Sequence, residues 1–266
     1  MNLQDNGTPE HVPVKSGGDG GILEIIGFNI ESCRIAQAAG AHRIELCDNP
    51  LEGGSTPSYG FLKAARHLLH IQLYPMVHPR GGDFFYTPAE FEIIRTDIKI
   101  CKELGCDGVV IGILNADGSI DKKRMQELVS LSYPMGVTFH RAFDRCANPF
   151  EAMENIIEIR CERILTSGQH PTALEGATLI NELIRQADER IIIMPGSGVR
   201  SSNIIELAEK TGATEFHTSA RIWADSNMQH NNPSMNETLQ SVMVDEEEVK
   251  KLATLLNEKF SLTISD

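Results

Sequence analysis

Between Ile22 and Ser219 a short apolar, β-branched run recurs eight times, and a helix-patterned stretch follows each one. Strands that alternate with helices in this way pair in parallel, because a parallel pair needs a crossover long enough to hold a helix. Runs such as RIIIMP (190–195) and GVVIGIL (108–114) are apolar almost throughout, the pattern of a strand buried on both faces. The strand-to-strand interval is roughly 20–35 residues, one βα unit each. An open doubly wound sheet gives the same alternation with fewer units. Eight units without a break in composition, in a chain of 266 residues, point to one domain built as a TIM-type (β/α)8 barrel of the α/β class.

Strands are expected at 22–27, 43–47, 72–78, 108–114, 135–140, 163–167, 190–195 and 214–219. Helices are expected near 30–39, 59–69, after a Thr87 cap, at 121–131, from Pro149, at 173–188 and at 201–210. Residues 1–21, ending in GGDGG, read as a flexible tail, so that the barrel occupies 22–266. A polar stretch at about 224–244 reads as a loop or excursion, and 245–259 as a closing helix with Val249, Leu252, Leu255 and Leu256 on one face.

A net charge of −13 argues against a phosphate-backbone partner, so no nucleic acid is expected. It leaves room for a small anion, since an arginine or a helix N-terminus acts locally. No apolar run reaches the roughly 18 residues of a membrane span, and the first residues lack a secretory apolar region. The six cysteines are scattered without a CxxC pair, as in reduced cytosolic thiols. The expectation is a cytoplasmic protein with no membrane partner.

Several strands end in ionisable groups, which is how such a barrel presents a site at its C-terminal face. VTFHRAFD (137–144) stops at His140, with Arg141 and Asp144 directly after it, and TEFHTS (214–219) carries His217. Imidazole suits acid–base work near neutral pH or a borderline divalent metal, and a lone strand histidine also serves as a satisfied core residue. Arg141 and Asp144 either orient His140 or form a surface pair. Glu24 and Glu45 lie inside apolar strands, where a carboxylate costs several kcal/mol unless paired. Period 2 places Arg43, Glu45 and Cys47 on one face, so the two glutamates are either an internal ionic layer or a catalytic or metal-binding pair. Cys47 as a thiolate is a soft-metal ligand. The glycine-rich loops PRGGD (79–83) and PGSG (195–198) offer backbone N–H groups, and Gly168, Gly196, Ser197, Gly198, Ser167 and Ser219 form a candidate anion site. Arg80 and Asp83 either anchor a ligand or brace their loop.

RIELC with LEGGSTPS, PRGGDFFY, VTFHRAFD, RILTSG with ALEG, IIIMPGSGV and EFHTSA together resemble the CutC copper-homeostasis family over 22–220. The resemblance implies a TIM-like barrel, a cytoplasmic location, homodimers or homotetramers, and copper handling with Cu(I) binding in some members. Animal members place one ligating cysteine on strand one and one on strand two. The second maps to Cys47, but the first position is Ile26, so a two-thiolate Cu(I) site cannot form there. VHPRGGD also puts His78 where arginine is usual. The functional expectation is a copper-homeostasis protein, with Cys47, His140 and His217 as candidate metal ligands. The alternative is a barrel enzyme, hydrolase- or lyase-like, acting on a small anionic metabolite. Glu24, Glu45, His140, Arg141, Asp144 and His217 would then carry the chemistry.

Overall fold

Local signals in the side chains punctuate each unit. In the computed structural model, which describes residues 21–261, the Asn29 side chain accepts the Ser32 N–H at 2.8 Å and starts the first helix. Thr87 and Glu90 close a reciprocal capping box at the third, with Pro88 in its first turn. The resulting order is β1 (Ile22–Gly27), α1 (Ile30–Ala38), β2 (Arg43–Leu46), α2 (Tyr59–Leu68), β3 (Gln72–Pro75) and α3 (Pro88–Glu103). It continues with β4 (Gly108–Ile111), α4 (Lys122–Ser132), β5 (Gly136–Phe139), α5 (Pro149–Glu158), β6 (Arg163–Thr166) and α6 (Ala177–Ala187). Then come β7 (Ile192–Pro195), α7 (Ile204–Thr211), β8 (Glu215–Thr218), β9 (Arg221–Ala224), β10 (Ser241–Val244) and α8 (Glu246–Ser261).

The first eight strands pair in parallel in the orders β3-β2-β1-β8 and β4-β5-β6-β7. A parallel bridge between Met76 and Val110 joins the two halves at β3 and β4, and β7 lies against β8. This is the expected TIM-type barrel. Register aligns Glu24 with Arg43 on one side and His217 on the other. The period-2 reading holds: Leu23, Ile25, Ile44 and Leu46 join the large core under the helices. Ile26 and Cys47 face inward with Tyr74, Met76 and Val110.

Below that small apolar layer the barrel is ionic. Glu215 accepts Arg43 Nη2 and Arg163 Nε, each at 2.7 Å, and Arg43 Nε pairs with Glu24. The Tyr74 ring lies 5.3 Å from the Arg43 guanidinium and 5.5 Å from that of Arg163, and its hydroxyl donates to Glu162 at 2.9 Å. A buried charge is tolerated only when paired in this way.

Some boundaries differ from expectation. The start of the 224–244 excursion is tied to its end by the antiparallel ribbon β9–β10. That ribbon is anchored to the start of α1 by Asn29 Nδ2 donating to Val242 O at 2.8 Å. Its strands are too short for periodicity to reveal. α6 starts only at Ala177, because Gly168 packs against the Gly176 backbone and the intervening chain turns on itself. α7 starts at Ile204, after Asn203 Oδ1 captures the Arg200 N–H. The expected tail lies outside the described residues, Gly21 apart.

Candidate functional site

β8, β1 and β2 stand side by side, and their registers bring His217 between two carboxylates. His217 Nδ1 is 2.7 Å from Glu24 Oε1, and its Nε2 is 3.8 Å from Glu45 Oε2. One ligand atom each from Glu24, Glu45 and His217 falls within a 4.8 Å spread, and all three residues are buried. Gly196 makes room for the imidazole, since a Cβ there would sit 2.5 Å from Leu165 and 3.2 Å from His217.

The environment pushes the two carboxylates apart. Burial raises the Glu24 carboxyl, but the Arg43 guanidinium and the His217 contact outweigh it and hold the group ionised, well below the usual range. Burial lifts Glu45 to about 7, with His217 opposing and Glu24 adding to the rise. His217 is moved above its ordinary value, because the two glutamates overcome the burial that would lower it. Burial, then the Glu45 carboxylate, drives the Cys47 thiol well up, and Cys47 Sγ rests 3.6 Å from Glu45 Oε2. A thiol in that state is a poor thiolate donor.

Above this trio opens a cavity of about 450 Å³, at the C-terminal ends of the strands. His140 and His78 line it, with ring centroids 5.8 Å apart. His140 caps the turn after β5, where its Nδ1 accepts the Ala142 N–H at 3.2 Å. A Cβ on Gly112 would meet that ring at 2.6 Å, so glycine there admits it. Burial, and then His78, lower His140 to about 3, so the ring is neutral. His140 Nε2, His78 Nε2 and Glu45 Oε1 are buried without a hydrogen-bond partner among the described residues. An unmade bond at a buried polar atom costs about 1–3 kcal/mol, a bond that a ligand or a water in the cavity can supply.

The remaining candidates separate cleanly. Glu45, His140, Arg141, Asp144, Ser197, Gly198, His217 and Ser219 line the cavity, and Glu24 sits behind His217. Arg141 pairs with Asp144 at 2.7 Å and donates to Ser167 at 2.8 Å; Asp144 also accepts Thr166, Ser167 and Gln169, so this pair organises the β6 loop. Arg80 bonds Glu90 at 2.6 Å, Asp83 at 2.9 Å and the Phe85 carbonyl at 3.0 Å, which braces its loop. Cys47 lies behind Glu45, and His140 keeps company with His78 and Phe84 rather than with His217. Sequence reasoning missed Arg145, Arg200 and Arg221 at the rim, and gave no role to His78. Arg200 lies two residues beyond a glycine loop already singled out, a position that could have flagged it.

The comparisons agree with this architecture. The CutC family model matches residues 22–222. A CutC family protein of Parabacteroides distasonis is 48% identical over 237 residues, covering 86% of this chain and 98% of its own. The mouse protein named copper homeostasis protein cutC homolog is 43% identical over 249 residues, covering 94% of this chain and 86% of its own. A CutC crystal structure from Streptococcus agalactiae superposes with a TM-score of 0.72 at 32% identity, covering 75% of this chain and 98% of its own. Among the described residues no helix is long and apolar enough to cross a membrane.

Proposed function

The chain belongs to the CutC family, and on that premise we propose that it serves copper homeostasis, holding its ion at His217 and Glu45. One observation supports this reading above the others: three buried N/O donors from adjacent strands gather within 4.8 Å. In the arrangement His217 Nε2 and Glu45 are the ligands, while Glu24 takes the Nδ1 proton and fixes the ring, the usual partnership behind a metal-bound imidazole. Imidazole and carboxylate suit a divalent copper ion better than Cu(I), for which paired thiolates are the natural site. The Cys47 pairing implied by the family resemblance does not fit, because Ile26 occupies the facing position. The reading includes a cytoplasmic protein, in keeping with six free cysteines, and the self-association that the family resemblance implies.

The test is chelator competition with Cu(II) and with Cu(I). Cu(II) binding should be lost in Glu45→Gln and His217→Ala and kept in Cys47→Ser. Binding by both site variants at wild-type strength sinks the assignment.

A second reading draws on the position of the same trio, one imidazole between two carboxylates, at the floor of an open cavity. Carboxylates whose environments separate their proton affinities can divide acid and base roles. On this reading the site moves a proton on a small anionic metabolite.

A further inference from the structure

Three successive backbone N–H groups follow β7 without an acceptor. Those of Ser197, Gly198 and Val199 bond to no group among the described residues, and all three residues line the cavity. Ser197 and Gly198 have φ of +79° and +72°. For a serine that left-handed backbone costs about 1–2 kcal/mol, a strain typical of ligand-binding turns. Turn amides left free in this way form concavities that bind anions.

Cations surround the same place. Arg145, Arg200 and Arg221 line the cavity and form no ion pair among the described residues. The hydrogen bonds of Arg200 and Arg221 are long ones: Arg200 Nη2 reaches Arg221 O at 3.5 Å, and Arg221 Nη1 reaches Pro50 O at 3.5 Å. Of the two acids at the rim, Asp144 is already taken by Arg141, and Glu52 stands exposed. In a chain of net charge −13, three arginines without a carboxylate partner among the described residues gather on one cavity, Arg145 with its guanidinium 5.7 Å from the Phe84 ring.

The inner end is polar in a complementary way. His78 Nδ1 lies 2.9 Å from the Gly54 carbonyl, so that nitrogen carries the proton and Nε2 is a bare acceptor. His140 Nδ1 accepts a backbone N–H, so its Nε2 carries a proton with no acceptor. The pair therefore offers one acceptor and one donor, which a hydroxyl beside a carbonyl answers together.

We propose that the cavity binds a small phosphate monoester of a hydroxycarbonyl compound. The phosphate lies on the Ser197, Gly198 and Val199 amides with Arg200 and Arg221, and the hydroxycarbonyl end on His78 and His140. This names the substrate class for the acid–base reading above and rests on it. Three amides and two guanidiniums match a dianion with three terminal oxygens, whereas a carboxylate fills only two of those positions.

The experiment is isothermal titration of the full chain with dihydroxyacetone phosphate, inorganic phosphate and dihydroxyacetone. Dihydroxyacetone phosphate should bind at least about tenfold tighter than inorganic phosphate, and dihydroxyacetone should give no heat. The double variant Arg200→Ala/Arg221→Ala should weaken both phosphates by about tenfold or more. His140→Phe should abolish the advantage of the organic ligand and leave inorganic phosphate unchanged. Absence of binding by dihydroxyacetone phosphate at millimolar concentration, or binding indifferent to the arginine pair, overturns the proposal. Solvent deuterium exchange into the bound ligand, followed by NMR, tests the acid–base reading separately: binding without exchange supports the ligand class and defeats that reading.

Discussion

Replacing Glu45 by Gln should stabilise the protein above neutral pH and leave it nearly unchanged in mild acid. The residue is 1% exposed, with Oε1 unpartnered among the described residues and Oε2 beside the Cys47 thiol and the His217 ring. Burial dominates and raises its pKa from 4.5 to about 7. Between those values the folded chain holds a proton that the unfolded chain has released, so the native state binds more protons there. The stability contributed by this group is therefore complete below pH 4.5 and declines as pH rises through about 7. At about 1.4 kcal/mol per unit, the penalty in the wild type at pH 8 is about 3 kcal/mol. Glutamine has nearly the same shape and no proton to lose, and the 2.7 Å contact of Glu24 with His217 stays in place. Urea unfolding at pH 5 and pH 8 measures the difference. The variant should match the wild type within about 1 kcal/mol at pH 5 and exceed it by about 3 kcal/mol at pH 8. Equal effects at the two pH values, or a loss of stability at pH 8, would refute the reasoning.

The Glu215→Ala variant strips both buried arginines of their shared carboxylate and should cost about 3–5 kcal/mol, seen as a Tm lower by about 10 °C; a shift under about 2 °C contradicts a paired ionic floor. The His140 imidazole, lowered to about 3, should show neutral-ring NMR shifts from pH 8 down to pH 5. Because its folded pKa is depressed, its contribution to stability is complete above the ordinary 6.5 and fades as pH falls toward 3; titration near 6.5 in the folded protein would contradict this. Native Cys47 should resist iodoacetamide at pH 8 and react only on unfolding, read by peptide mass spectrometry; rapid native labelling would argue against its raised pKa.

Much of this site was readable because β-strand geometry is local. Arg43, Glu45 and Cys47 alternate with Ile44 and Leu46, so their shared inward face follows from period 2, and the barrel bears it out. Charged residues in apolar strands likewise left an internal ionic layer as one of two readings, and Arg163 and Glu215 extend that layer. What sequence could not supply was the distance between strands. His140 and His217 look equivalent as strand-end histidines, yet one is pressed against His78 and Phe84 and the other against two carboxylates. That difference depends on which strands are neighbours: β8 closes onto β1, whereas β5 lies in the other half of the barrel.

The same closure decides why Ile26 need not cost the site its chemistry. A thiolate pair on β1 and β2 would lie in the apolar layer with Tyr74, Met76 and Val110, next to the Glu45 carboxyl. Both burial and that carboxyl oppose a thiolate there, as they do at Cys47. In this chain the inward position on β1 is apolar instead, and polarity is concentrated on His217, reached by both Glu24 and Glu45. The charge that a metal ion would neutralise is already balanced in part by Arg43, which pairs with Glu24 from below. Glu45 is the member of the trio with a carboxyl oxygen free, and it faces the cavity. A metal or a transferred proton arriving from the cavity therefore meets Glu45 and His217 together, with the imidazole held from behind by the Glu24 carboxylate.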